Sequence, residues 1–428
     1  MTPTPESTLE RANVESKAPR KHSGTREAWT TLIGAFLLQF CVVGPVMSFG
    51  VFQDFYSTEF LKSQSASNIS WIGGLQLFLY LGCGTLGGKL YDSGYCRETL
   101  ICGSLLFVFN FFMLSITEPG HYYQVFLCQG LGMGIGAAMV YVPTFTVVSA
   151  HFKSQRALAM GILSASSPLG TIIFTILLNQ MIYHGPGFAW AIRTGAFLVL
   201  GCFVASQFLI TILEPAPSSP GLQPDGELIK SITGLPYLLT LLAGFTAQLG
   251  TLFPTFYLQI FAQTHGFSKP LTFYTPVIMN VATILGRIIP NFAADRWGTV
   301  EVYIVCLAAN GIVGFGMLGA GKTAGLICFS VFFGFFFGSS ISLYLPVVSV
   351  LVPREAQMGR IMGIALFPVG ISSLIGPPIA GRILGSEMAW WKAIVLSSVV
   401  LLTSSVILTI ARIVHVRHTI LAVSMTAP

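Results

Sequence analysis

One arginine lies inside a long apolar stretch of this 428-residue chain, where its charge could bind an anion. Arg287 precedes Asp295 by eight residues, so at about 1.5 Å per helical residue it lies roughly 12 Å from that helix end. An ionisable group at such depth in a membrane costs about 2.5–3.5 kcal/mol or more, and it usually faces a partner or a wet cavity. A guanidinium there could hold a carboxylate through two parallel hydrogen bonds. The alternatives are that Arg287 extends to the membrane surface, or pairs with Asp295 or with main-chain carbonyls.

Three further residues are candidates for the same ligand site. Asn280 precedes Arg287 by seven residues, about two helical turns along one face, and is predicted to share its site. Tyr141 and Tyr344 each stand two residues before a proline. They could line a cavity or cap the proline break, and the sequence leaves both open.

Amide side chains also occur inside the apolar runs, and a buried amide costs free energy unless it is hydrogen-bonded. Some are therefore expected to face a cavity and others to bridge helices. They are Gln39, Gln76, Asn110, Gln129, Asn179, Gln248 and Asn280.

Several charged residues stand where apolar runs end, and their pairing could join two parts of the protein at one membrane face. The alternative is that they only mark helix ends in water. The candidates for this gating role are Asp92, Arg97, Arg156, Asp295 and Arg296.

The types of residue inside the apolar runs argue against catalysis. All 16 acidic residues and all 7 histidines fall in tails, loops or the ends of runs, so an intramembrane enzyme lacks its acid or base. No CxxC pair and no GxxxxGK[ST] loop occurs, so neither a metal or other cofactor nor ATP is expected. Asp54, at the end of the first run, is the single half-buried acid, which gives thin support for proton coupling.

The composition indicates that lipid surrounds these residues. The chain is 53% hydrophobic and 9% charged, with a mean hydropathy of +0.75, whereas soluble domains carry about 25% charged residues. The net charge of +6 forms no patch interleaved with aromatic residues, which excludes nucleic acid as a partner. We therefore expect an all-α polytopic membrane protein whose partners are the bilayer and a small solute, with no protein partner.

Apolar runs bounded by charged residues, Gly or Pro predict twelve transmembrane helices. They cover residues 29–52, 71–90, 100–116, 123–150, 157–182, 192–213, 236–260, 274–293, 302–319, 326–345, 361–381 and 391–414.

The connections between these helices predict topology and domain organisation. If the termini are cytoplasmic, the inner segments hold fifteen Lys and Arg residues and the outer loops six, which favours cytoplasmic termini. The plasma membrane is the default location. The predicted units are a disordered tail at 1–27, a six-helix bundle at 28–213, a Pro- and Gly-rich linker at 214–235, a second six-helix bundle at 236–416 and a tail at 417–428. Asn68 begins an outer-face glycosylation sequon that lies too near the membrane for efficient modification.

The two halves carry an internal repeat. A shift of 203 residues aligns Asp92 with Asp295 and Tyr141 with Tyr344. Within one residue of that shift, Arg156 aligns with Arg360. One offset that serves several separate regions in the same order indicates duplicated six-helix halves.

These motifs resemble known transporters. Residues 88–97, GKLYDSGYCR, resemble the loop signature G-x-L-x-D-R-x-G-R-R of the major facilitator superfamily, and residues 295–298 keep its Asp-Arg-x-Gly. Residues 151–161, HFKSQRALAMG, are similar to the signature Y-F-x-K-R-R-x-L-A-x-G of the monocarboxylate-transporter-like family, most closely its fungal type. The resemblance implies two bundles of six helices that rock around a central site in alternating access. It also implies a gating role for the charged loop residues.

Two departures separate the chain from proton-coupled members of that family. Met47 stands where such members have a Lys, and Thr283 stands where they have an Asp. Of that charged set Arg287 alone remains. We therefore expect a secondary active or facilitative carrier of a small organic anion, resembling monocarboxylate carriers. The alternatives are an efflux transporter for a carboxylated secondary metabolite and, more distantly, a nutrient sensor that transports nothing.

Overall fold

A computed structural model describes residues 25–152, 155–213, 232–352, 357–385 and 388–426. Within these ranges the chain is helical and contains no strand. Twelve helices are long and apolar enough to cross a membrane, which confirms the predicted fold class and number of spans. Numbered in chain order, spans 1 to 12 are Arg26–Phe60, Asn68–Asp92, Cys96–Leu114, Tyr122–His151, Arg156–Tyr183, Phe188–Leu209, Leu235–Thr264, Lys269–Trp297, Thr299–Gly319, Thr323–Leu351, Met358–Leu384 and Trp390–Arg417.

Five spans are built from more than one helical segment. Span 1 contains Thr25–Met47, Phe49–Phe55 and a π-helical turn, Tyr56–Phe60; span 2 contains Ala66–Gly82 and Gly84–Asp92. Span 4 contains Tyr122–Val125, a π-helical segment, Phe126–Met133, and Gly134–His151. Span 9 contains Thr299–Phe315 and a 3₁₀ turn, Gly316–Gly319, and span 10 contains Thr323–Ser342 and Tyr344–Leu351. The other seven are continuous α-helices.

Two of the predicted tail boundaries differ from the structure. The first helix begins at Thr25, inside the predicted tail at 1–27, and the last helix continues from Trp390 to Thr426 through most of the predicted tail at 417–428. The C-terminal extension contains no Gly or Pro before Pro428, so nothing in its sequence breaks the helix. Residues 1–24 and 214–231, which include most of the predicted N-terminal tail and linker, lie outside the described residues.

The first six and last six spans meet along two pairs of helices. Span 2 packs against span 11, and span 5 packs against span 8. Glycines allow the main chains to approach closely. A Cβ added to Gly88 of span 2 would lie 2.0 Å from the carbonyl oxygen of Gly359 in span 11, and one added to Gly363 would lie 2.4 Å from the Cα of Thr85.

The twelve-span topology places the loops after spans 2, 4, 8 and 10 on the same membrane side as both ends of the membrane domain. We call this the terminal side and the opposite one the outer side. The contacts of Gly88 with Gly359 lie near the terminal-side ends of spans 2 and 11. The two halves are thus in main-chain contact at the terminal side.

Candidate functional site

Arg287 lies on span 8 at the contact with span 5, and its side chain is only 6% exposed. Its Nη1 donates a hydrogen bond to the carbonyl oxygen of Ser164 in span 5, 2.5 Å away. Its Nε is buried and has no hydrogen-bond partner. The structure therefore shows the pairing with a main-chain carbonyl that was one of the alternatives, and it leaves Nε without a partner.

Two tyrosines whose rings are in contact, with their planes tilted by 60°, lie beside the arginine. The rings of Tyr80, on span 2, and Tyr141, on span 4, have centroids 4.6 Å apart, and both side chains are buried. Both phenols lie within electrostatic range of the Arg287 guanidinium. The structure thus places Tyr141 close to Arg287. It adds Tyr80, which has no counterpart in the repeat because Thr283 stands at the shifted position.

Tyr344 occupies a different environment from its repeat partner. Its hydroxyl donates to the carbonyl oxygen of Ala365 in span 11, 2.8 Å away. Its ring packs against Gly244 of span 7, where an added Cβ would lie 2.4 Å from a ring carbon. Both contacts are with helices of the second half, so Tyr344 joins spans 7 and 11 there. Its hydroxyl is already engaged in a hydrogen bond.

The amide predicted to share the site of Arg287 is not the one that contacts it. Asn280 donates from Nδ2 to the carbonyl of Pro276 within span 8, 2.9 Å away. Asn291, one turn beyond Arg287, is fully buried and donates from Nδ2 to the carbonyl of Arg287 at 2.8 Å and to Ser342 Oγ at 2.6 Å. The i, i+4 spacing was the available signal for Asn291.

Two glutamines of the first half continue this polar region. Gln39 of span 1 donates from Nε2 to the carbonyl of Tyr141, 3.1 Å away, and to the hydroxyl of Thr144. Gln76 of span 2 is 0% exposed, and neither its Nε2 nor its Oε1 has a partner. Spans 1, 2 and 4 therefore contribute buried polar side chains to this part of the first half.

The two repeated aspartates bond across the halves. Asp92 accepts hydrogen bonds from the main-chain N–H groups of Gly359 and Arg360, at 3.0 and 2.7 Å. Asp295 accepts from the N–H groups of Ala157 and Leu158, at 3.0 and 2.8 Å. In each case the donors are the second and third residues of a helix in the opposite half.

The arginines predicted to pair with these aspartates do not do so among the described residues. Arg97 is exposed and forms no ion pair with Asp92. Arg296 is exposed too, and its guanidinium lies 4.2 Å from the ring centroid of Phe292. Arg156 begins span 5, and its Nε is buried without a partner. The aspartates bond to helix N-termini instead, because the first N–H groups of a helix lack intrahelical acceptors and the helix dipole attracts a carboxylate there.

The predicted sequon asparagine lies at the outer side. Asn68 is exposed near the start of span 2, where its Nδ2 donates to Gln64 Oε1 at 3.1 Å and its main-chain N–H donates to Ser65 Oγ at 3.2 Å. Its carbonyl accepts a hydrogen bond from the hydroxyl of Tyr122 at 2.9 Å. These contacts tie the first turn of span 2 to the start of span 4.

The chemistry available around Arg287 is recognition of an anion. A guanidinium N–H and two phenols supply hydrogen-bond donors, and a charge-assisted hydrogen bond to a carboxylate is about twice as strong as a neutral one. Among the described residues no Asp or Glu forms an ion pair with Arg287, so its charge is not neutralised within the protein. The site lies between the two halves, so relative movement of the halves would change it.

Comparison with known proteins assigns this architecture. Residues 28–357 match the sequence profile of the Major Facilitator Superfamily. The Escherichia coli fucose:proton symporter has the same fold, with a TM-score of 0.70 over 89% of this chain and 98% of that chain at 13% sequence identity.

Two fungal proteins are similar over nearly the whole chain. An aspyridones efflux protein of Emericella nidulans is 32% identical over 394 residues, which are 91% of this chain and 79% of the relative. An agnestins efflux protein of Paecilomyces divaricatus is 34% identical over 413 residues, which are 96% of this chain and 93% of the relative.

Proposed function

The chain belongs to the major facilitator superfamily, and on that premise we propose that it exports a carboxylated secondary metabolite by alternating access. Membership and fold make it a multi-pass membrane transporter of small molecules. The names of the relatives favour export of secondary metabolites over the carriage of small monocarboxylates expected first from the sequence. The narrower resemblance to monocarboxylate transporters remains a prediction.

The observation that carries the proposal is the buried guanidinium of Arg287 at the boundary of the halves, with its Nε unpartnered. A substrate carboxylate would accept from Nε–H and would compete with the carbonyl of Ser164 for Nη1. The phenols of Tyr80 and Tyr141 would donate to the same anion. Removing a carboxylate from water is costly, and this set of donors offsets that cost.

The aspartate contacts suggest how access changes sides. Four main-chain N–H groups donate hydrogen bonds to Asp92 and Asp295 across the two halves at the terminal side. Opening that side for loading would break these bonds, and closing it would restore them. The excess of basic residues in the terminal-side segments makes that side cytoplasmic, so a substrate would load from the cytoplasm. We place the protein in the plasma membrane.

The proposal is tested by flux in sealed vesicles that contain the purified protein in one orientation. Aspyridones, agnestins, benzoate and uncharged benzamide are each loaded on the terminal side, with and without a pH gradient. Wild type is compared with Arg287→Lys, Arg287→Gln and Arg382→Gln. Arg382 is the matched control because it is an exposed arginine of span 11, away from the span 5–span 8 contact.

We expect saturable flux of aspyridones, agnestins and benzoate, which are the acids of this test, and no saturable flux of benzamide. Arg287→Gln should abolish flux of the acids, and Arg287→Lys should retain part of it because Lys keeps the charge but loses the planar pair of donors. Arg382→Gln should behave as wild type. Equal flux of every acid through well-folded Arg287→Gln would show that Arg287 is structural and that the anion site lies elsewhere.

A further inference from the structure

Gln76 is a fully buried amide with no partner on either of its polar atoms. The neighbouring stretch of span 4 explains why. Gly130 and Gly134 face span 2 there, because a Cβ on Gly130 would lie 3.3 Å from the carbonyl of Ile72 and one on Gly134 would lie 3.4 Å from the Cα of Gln76. Those glycines have no side chain that could form a hydrogen bond with Gln76. The main-chain N–H and C=O groups of span 4 bond to each other within the helix. A buried amide in this condition calls for a partner that arrives from elsewhere.

The position of Gln76 points to what that partner is. Gln76 and Tyr80 are four residues apart within the α-helix Ala66–Gly82, so they lie on neighbouring positions of one helix face. The ring of Tyr80 in turn contacts that of Tyr141, with centroids 4.6 Å apart, and Tyr80 lies within electrostatic range of Arg287. Gln76 is therefore one turn, about 6 Å, from Tyr80 toward the outer side.

We propose that Gln76 is a specificity-determining residue that binds a neutral substrate group able both to donate and to accept a hydrogen bond, such as a primary amide. This inference rests on the proposed function, because it places the group next to the carboxylate held by Arg287. A primary amide can accept a hydrogen bond from Nε2 of Gln76 and donate one to its Oε1. A substrate without such a group leaves Gln76 unpaired, and a site that leaves its own polar groups unpaired discriminates strongly.

Gln129 provides a matched control within the same bundle. It is also 0% exposed, and its Nε2 is also without a partner. Its Oε1, however, accepts a hydrogen bond from the hydroxyl of Tyr56 at 2.6 Å. Gln129 is thus an equally buried glutamine that is engaged in a contact between spans 1 and 4.

The experiment compares benzoate with 4-carbamoylbenzoate, two acids that differ by one primary amide. Binding and vesicle flux of both acids are measured for wild type, Gln76→Leu, Gln76→Met and Gln129→Leu. Wild type should prefer 4-carbamoylbenzoate about tenfold in KM and in Kd. Both Gln76 variants should lose that preference, so that the KM and Kd values of the two acids become equal. Gln129→Leu should retain the preference. The methionine variant covers the case in which leucine does not fold, because its unbranched chain keeps the length of glutamine.

Thermal unfolding separates this role from a structural one. Removal of an unpartnered buried amide should leave the midpoint of Gln76→Leu equal to or above that of wild type. If wild type shows no preference for 4-carbamoylbenzoate, or if both Gln76 variants keep it, the proposal for Gln76 is overturned while the Arg287 result stands. Loss of all acid flux in wild type would instead overturn the proposed function.

Discussion

The carboxylate of Asp92, on span 2, accepts a 2.7 Å hydrogen bond from the main-chain N–H of Arg360, on span 11. Arg360 is the third residue of its helix, so its N–H has no acceptor inside that helix. The equivalent bond in the second half joins Asp295 to Leu158, the third residue of span 5, at 2.8 Å. Each half therefore supplies an aspartate that caps a helix of the other, and the internal repeat makes the arrangement symmetric.

Replacing Asp92 by Asn should loosen the terminal side. The amide keeps one acceptor but loses the charge, and a charge-assisted hydrogen bond is about twice as strong as a neutral one. A loss of about 1.4 kcal/mol corresponds to a tenfold change in the equilibrium between closed and open states. A cysteine placed at Thr85, which faces Gly363 of span 11, should then be alkylated about tenfold faster. The measurement is peptide-resolved mass spectrometry after timed alkylation.

Glu98→Gln is the control for that experiment. Glu98 is exposed in the first turn of span 3, on the same side of the membrane, so its variant removes a charge without removing a bond between the halves. Its alkylation rate at position 85 should equal that of wild type. Equal rates in Asp92→Asn and wild type would show that the aspartate contacts do not hold the closed state.

The repeated aspartates could be predicted from the sequence, but the groups that they bond to could not. Asp92 and Asp295 are found by the repeat, because a charged residue after an apolar run is conspicuous and recurs at one offset. The groups that donate to them cannot be predicted, since these are main-chain N–H groups, which every residue type except proline supplies. The adjacent arginines were the visible partners, and the structure leaves Arg97 and Arg296 outside these bonds.

The candidate site shows the same division. The distance of Arg287 from its helix end follows from the sequence, whereas its burial at the boundary of the halves is seen only in the structure. Asn280 was the amide selected by its spacing, but Asn291 also fits the same helical face, and only the packing of span 8 against its neighbours shows which contacts each amide makes. Tyr80 has no sequence signal, because a tyrosine in an apolar run is ordinarily a core residue.

Gly88→Ala should disrupt the closed state by forcing spans 2 and 11 apart. The added Cβ would lie 2.0 Å from the carbonyl oxygen of Gly359, and that contact is to main chain, which cannot move aside alone. Spans 2 and 11 must separate, at a cost of about 1–3 kcal/mol by analogy with overpacked cores. We expect a lower unfolding midpoint and loss of most acid flux in vesicles.

Gly201→Ala in span 6 is the matched substitution, because a Cβ there meets no atom within 4 Å. Alanine also favours the helix over glycine by about 1 kcal/mol. The Gly201 variant should therefore be as stable as wild type or more so, with unchanged flux. If both alanine variants unfold at the same temperature and transport equally, close approach of spans 2 and 11 is not needed for function.

Asn291→Ala should destabilise the second half around Arg287. The substitution removes hydrogen bonds to the carbonyl of Arg287 and to Ser342 Oγ without adding volume against Gly161 of span 5. A loss of about 1–3 kcal/mol is expected, since the carbonyl of Arg287 and the buried hydroxyl of Ser342 each lose a donor. Ser342→Ala removes only one of the two bonds and should cost less. Denaturant or thermal unfolding of the purified protein ranks the two variants, and the opposite ranking would contradict the assigned bonding.

Substitution of Tyr344 should affect stability, whereas substitution of its repeat partner Tyr141 should affect transport. Tyr344→Phe deletes a 2.8 Å hydrogen bond to the carbonyl of Ala365, so it should lower the free energy of unfolding by about 1 kcal/mol and leave the KM for acids unchanged. Tyr141→Phe keeps the ring in contact with that of Tyr80 but removes a donor near Arg287, so it should raise the KM for acids about tenfold with little change in stability. Both quantities are measured for both variants, by thermal unfolding and by concentration-dependent vesicle flux. A rise in KM for Tyr344→Phe together with wild-type KM for Tyr141→Phe would place the substrate beside span 10 and away from the Arg287 site.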